Sequence, residues 1–132
     1  MPQPTFTEHS GLLWIELGPD WSGFTEALND GVSALSPRGE PPAVSTYWID
    51  YALEGLARAP GDEITGGNTT RIVRTATGVR AVSDYELFDE ESMTVEDFRS
   101  LLTAWRERVV AQIDSGDAAR PAQARYQRNP QR

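Results

Sequence analysis

Phe98, Leu101, Leu102, Trp105, Val109 and Ile113 constrain this chain more than any other feature, because spacings of three and four put all six on one side of a helix. The opposite side is left to Arg, Glu, Ser and Thr. A helix divided in this way gains its stability from a second layer, which the rest of the chain must supply. Met93, Thr94, Asp97 and Phe98 read as a capping box with Met93 stapled to Phe98, so the spacing predicts a helix over 94–113. Glu96 and Asp97 stand at its positive end, and Arg106 and Arg108 lie toward its negative end.

Residues 11–17 alternate as a strand, with Leu13, Ile15 and Leu17 on one face and Leu12, Trp14 and Glu16 on the other. Two apolar faces predict an interior strand, and Thr5-Phe6-Thr7 supplies a pairing partner for a first hairpin. Phe24, Ala27, Leu28, Val32 and Leu35 recur at helical spacing behind a Ser22 cap, with Asn29-Asp30-Gly31 as a possible early stop. A Pro-rich loop at 36–42 follows. Ser45 or Thr46 then caps a second helix with the stripe Trp48, Ile49, Ala52, Leu53, Leu56 and Ala57, flanked by Tyr47 and Tyr51 and closed by Pro60-Gly61. Glu54 and Arg58 are in the favourable i,i+4 order on it.

Residues 69–76 and 79–88 read as a hairpin turning at Thr77-Gly78. That register sets Arg71 opposite Asp84, Val73 opposite Val82 and Thr75 opposite Arg80. It sends Ile72, Val79, Ala81, Tyr85 and Leu87 to the core side, along with Arg74, which is out of place there. The expectation is a small single α+β domain over 1–114, an antiparallel sheet with about three helices packed on it.

Among the 132 residues there is no Cys, one His and no Lys; all 12 basic residues are Arg. Disulfides, thiolate metal centres, Schiff-base lysines and the P-loop lysine are therefore excluded, and His9 cannot build a multi-histidine metal site. An Arg-only basic complement is what a GC-rich, actinobacterial type of genome encodes. The formal charge of −8 divides unevenly. Residues 115–132 hold four Arg against Asp117, +3, and are expected to form a mobile Arg-containing tail; the first 114 residues hold 8 Arg against 19 acids, −11. A body this acidic argues against nucleic acid and anionic membranes as partners. With no long apolar run and no basic start before an apolar core, a cytoplasmic location is expected.

Asp84, Glu86, Asp89, Glu90, Glu91, Glu96 and Asp97 are seven carboxylates with no basic residue among them. Three readings stay open: a solvated linker with helix-start charges, an acidic surface for a basic partner, and a hard-cation site that lacks EF-hand spacing. Gly66-Gly67-Asn68 lacks the Lys and the following helix of a phosphate loop and reads as a turn. Trp14, Trp48 and Trp105 fall on core stripes, leaving Trp21, Tyr47 and Tyr51 as candidate exposed anchors.

The β-α-α-β-β-α order, the acidity and the stretch from Tyr85-Glu86-Leu87-Phe88 through Met93-Thr94-Val95-Glu96-Asp97-Phe98 to Trp105 resemble small bacterial immunity proteins of polymorphic-toxin and contact-dependent inhibition systems. The resemblance implies a cytoplasmic inhibitor that sequesters a toxin domain, often a basic nuclease, and carries over no binding residue. Together these readings favour a non-enzymatic protein-binding module without cofactor, metal or catalytic residues, using Asp84, Glu86, Asp89, Glu90 and Glu91 to steer and Trp21 or Tyr51 to anchor a basic protein partner. The alternative is a small-molecule-binding domain or carboxylate-dependent enzyme with a pocket between the sheet and the 46–59 helix, lined by Asp50, Tyr51 and Glu54. A homodimer is compatible with either.

Overall fold

In the computed structural model, residues 2–9, 12–35 and 46–115 are described. Thr5–His9 (β1) and Leu12–Glu16 (β2) form an antiparallel hairpin, and a 3-10 turn over Pro19–Trp21 leads into the helix Ser22–Leu35 (α1). After the helix Tyr47–Gly55 (α2) come four strands, Glu63–Gly66 (β3), Thr70–Arg74 (β4), Gly78–Ser83 (β5) and Glu91–Thr94 (β6). They make an antiparallel sheet in the order β3-β4-β5-β6, and Val95–Ser115 (α3) ends the described chain. The fold is α+β, with three α-helices and two sheets among the described residues sharing one core. The expected Pro-rich loop at 36–42, the cap candidate Ser45 and the residues from 116 onward lie outside the described residues.

The stripe on α3 is buried as its spacing requires: Phe98, Leu101, Leu102, Trp105 and Val109 are fully enclosed, and Ile113 is partly so. The Thr94 hydroxyl accepts the Asp97 N–H at 3.0 Å, which fixes the helix start. Leu13, Ile15 and Leu17 face the same core. Among the described residues no third strand pairs with β2, so it is an edge strand and not the interior strand its two apolar faces predict; side chains cover its free edge instead. Asn29 Nδ2 donates to the Ile15 carbonyl at 3.0 Å while its Oδ1 accepts the Ile15 N–H at 3.3 Å. The Thr25 hydroxyl takes the Leu17 N–H at 3.1 Å, and Trp105 Nε1 donates to the Leu13 carbonyl at 3.3 Å. Side chains from α1 and α3 thus stand in for a neighbouring strand and satisfy buried backbone groups. Trp14, on the other face, is only half-buried.

The helix α1 runs through Asn29-Asp30-Gly31 because all three residues are used in packing. The Asp30 carboxylate accepts from the Thr69 N–H, the Thr70 N–H and the Thr70 hydroxyl at 3.0, 3.1 and 2.8 Å, tying α1 to the β3–β4 turn. A Cβ on Gly31 would lie 2.8 Å from the Trp48 ring. Gly31→Ala is therefore expected to destabilise by about 1–2 kcal/mol in urea unfolding, although Ala is the better helix former. A gain in stability would show that Trp48 moves freely. Close approach also accounts for Gly55 in α2, whose Cβ would meet Ile64 of β3 at 2.6 Å.

Helix α2 stops at Gly55 with Leu56 as its C-cap, earlier than Pro60-Gly61, and Ala57 is exposed. Thr46 holds the N-cap position, but its hydroxyl donates to Asp50 at 2.7 Å instead of capping the backbone. Arg58 lies beyond the helix, where it covers the Tyr51 ring and donates to the Glu63 carbonyl, so the helical pairing with Glu54 gives way to these contacts.

The β4–β5 hairpin turns one residue earlier than the Thr77-Gly78 turn, with Thr75 N–H donating to the Gly78 carbonyl at 2.8 Å. Arg71 is thereby opposite Val82 and Val73 opposite Arg80. An earlier turn shifts each partner by two positions, so every side chain keeps its face and Arg71 still reaches Asp84 diagonally at 2.8 Å. Arg74 does point inward. Its guanidinium donates to the Leu56 carbonyl at the end of α2 at 3.0 Å, to the Gly78 carbonyl at 3.0 Å and to the Thr75 carbonyl, favourable work for a cation beside a helix C-terminus.

Candidate functional site

The second strand of that hairpin ends at Ser83, five residues before the expected Phe88, and this decides where the unusual surface lies. The Ser83 hydroxyl accepts the N–H groups of Tyr85 and Leu87 at 3.3 and 2.9 Å, while Asp84 N–H donates to the Thr69 carbonyl at 2.8 Å. A Ser hydroxyl that offers the backbone such a local acceptor diverts the chain out of the sheet. Glu86 then adopts a left-handed backbone, φ 57°, which a residue with a Cβ rarely takes. Tyr85 and Leu87, expected in the core, are instead 68% and 67% exposed.

The loop over 84–90 is anchored at its far end. The Glu91 carboxylate reaches across the molecule to accept the N–H groups of Gly23 and Phe24 at 2.8 and 3.0 Å, capping the first turn of α1. A Cβ on Gly23 would meet Phe88 and Glu91 within 3 Å, so this glycine is what lets the loop base settle on the helix. Glu91 opens β6, a strand of only four residues with one buried apolar group, Met93.

The candidate carboxylates therefore divide. Asp84 pairs with Arg71, and Glu90 approaches Arg80 at 3.5 Å, both at the surface where such pairs are worth little. Glu86 and Asp89 are exposed and form no ion pair among the described residues. Glu91 is committed to α1 and drops out of the steering set. Trp21 does so too, since it is half-buried against the core, 5.9 Å from the Phe24 ring at a tilted angle. Tyr51 sits in a separate cluster, with the Tyr47 ring stacked at 6.4 Å and Arg58 at 5.3 Å from its centroid. The apolar groups that accompany the acids are Tyr85 and Leu87, which alternation had assigned to a strand. The signal against that assignment was Ser83-Asp84, a pair that favours a turn.

Among the described residues no three His, Asp or Glu side chains stand close enough together to share a metal ion, and no helix is long and apolar enough to cross a membrane. In the expected gap between α2 and the sheet, Ile49, Ala52, Gly55 and Ile64 are buried, and a Cβ on Gly55 would meet Ile64. Asp50 lies outside it, where it accepts from Arg106 Nε at 2.8 Å and joins α2 to α3. A groove beside α1, lined by Trp14, Thr25, Glu26, Asn29 and Asp30, has most of its polar atoms engaged in the contacts to β2 and the β3–β4 turn. Comparison of the chain with protein-family models, curated proteins and solved structures finds no match.

Proposed function

We propose that this chain is a non-enzymatic protein-binding module that offers the 84–90 loop to a basic protein partner, in the manner of a small immunity protein. The observation that supports this reading is the pair Tyr85 and Leu87, held out in solvent by the Ser83 turn and bordered by Asp84, Glu86, Asp89 and Glu90. Exposed aromatic and aliphatic side chains on a loop fixed at both ends lose little entropy on binding and serve as anchors. Carboxylates around them accelerate encounter with a cationic surface and disfavour acidic competitors.

A photo-reactive phenylalanine at position 85 is expected to cross-link a basic protein in cells, and the same group at the exposed Thr103 of α3 is not. With that partner in hand, Glu86→Arg with Asp89→Arg is expected to slow association about tenfold and flatten its salt dependence. Tyr85→Ala with Leu87→Ala is expected to raise Kd by about 30-fold or more, chiefly through faster dissociation. Unchanged kinetics in both double variants would remove the loop as the interface.

A further inference from the structure

The sheet face opposite the buried Val79 and Ala81 carries a second feature, which touches the recognition loop only where Glu90 approaches Arg80. Thr75 and Thr77 of the β4–β5 turn, Arg80 of β5, and Ser92, Met93 and Thr94 of β6 line an open groove of about 460 Å³. The strand register sets Arg80 opposite Ser92 and Gly78 opposite Thr94, which gathers these groups at one end of the sheet. The polar side chains of the lining are one guanidinium and four hydroxyls, with no carboxylate, in a chain whose net charge is −8.

Each donor there has capacity to spare. The Thr75 hydroxyl accepts the Gly78 N–H at 2.9 Å and the Thr94 hydroxyl accepts the Asp97 N–H at 3.0 Å, so both oxygens are fixed in place while their own protons remain available. The hydroxyls of Thr77 and Ser92 make no hydrogen bond among the described residues. Arg80 Nε is shielded from solvent and has no partner among the described residues. The ion pair from Arg80 Nη1 to Glu90 is long, at 3.5 Å, and both side chains are about half exposed, so it competes weakly for the guanidinium.

We propose that this groove binds a phosphomonoester or inorganic phosphate. Arg80 supplies the charge and its exposed Nη donors, and Thr75, Thr77, Ser92 and Thr94 supply neutral donors on the strand and turn around it. A phosphoryl group presents three strong acceptor oxygens, matching a set of donors spread over three segments, whereas a carboxylate presents two. The ligand replaces Glu90 beside Arg80, so removing that carboxylate tightens binding.

The test is a titration of the isotopically labelled full chain, followed by amide NMR, with inorganic phosphate and methyl phosphate against chloride and acetate at matched ionic strength. Saturable shifts confined to 75–80 and 92–97 are expected with the two phosphates. Arg80→Gln is expected to weaken binding at least tenfold, Arg80→Lys less, and Glu90→Gln to strengthen it a few-fold. Ser92→Asp, which sets a carboxylate in the groove at an exposed position, is expected to abolish binding even if Arg80 substitutions disturb the sheet. Stronger binding of methyl phosphate than of inorganic phosphate identifies the ester as the ligand, and the reverse identifies the free ion. Equal shifts with chloride or acetate, or undiminished binding by both Arg80→Gln and Ser92→Asp, would overturn the proposal.

Discussion

Trp105→Ala is expected to destabilise the chain by about 4 kcal/mol, a large part of the 5–15 kcal/mol that holds a domain of this size folded. Trp105 is fully buried and packs at 5.7 Å against Trp48, so truncation empties the centre of the α2–α3 contact. It also withdraws the Nε1 donor from the Leu13 carbonyl, on an edge of β2 that no strand pairs with among the described residues. Trp105→Phe keeps one of the two fused rings and gives up that bond with a smaller part of the packing, for an expected cost of about 1–2 kcal/mol. Urea unfolding followed by far-UV circular dichroism measures both. If the two variants unfold at the same denaturant concentration, the cavity is not the dominant loss and the account of the core is wrong.

The second large effect is expected at Asp30. Asp30→Ala removes one carboxylate oxygen that accepts three hydrogen bonds and leaves the fully buried Thr70 hydroxyl without its acceptor, at an expected cost of about 3 kcal/mol. Burial by itself raises the Asp30 pKa, but the N–H of Thr69, the hydroxyl of Thr70 and the N–H groups of Asn68 and Thr70 outweigh it and hold the carboxyl below its ordinary value of 3.8. The charged form is thus favoured by folding. Its contribution is complete above pH 3.8 and is lost as the pH falls through the lowered value in the folded chain. Asp30→Asn keeps an acceptor without the charge, so its deficit relative to the parent chain should shrink as the pH drops below 3.8. A deficit that stays constant down the acid limb would show that the charge contributes nothing.

Much of the architecture can be read from spacing. The stripe on α3, the burial of Leu13, Ile15 and Leu17 and the facing of Ile72, Val79 and Ala81 follow from periodicities of 3.6 and 2, which burial on one side imposes. The strands β3 and β6 are not visible in the same way. Each has four residues, and β3 carries a register shift between Glu63 and Thr65, so neither is long enough to establish a period. The candidate site is legible only in its acids. Tyr85 and Leu87 alternate as core residues would, and the one local sign against a continuing strand is the turn-favouring pair Ser83-Asp84, whose Ser hydroxyl releases it.

The apolar face of Leu13, Ile15 and Leu17 required enclosure, and an uninterrupted apolar stripe required a long final helix against it; burial of hydrocarbon leaves little choice in either. Which groups would complete the polar bonding was settled by tertiary structure. Asn29, Thr25 and Trp105 take the place of a third strand beside β2, Glu91 caps a helix 67 residues before it, and Asp30 closes a turn 40 residues after it. Hydrophobic burial depends on repeating patterns that survive in one dimension. A hydrogen bond depends on the direction and distance of two atoms, which chains distant in sequence acquire only when they meet.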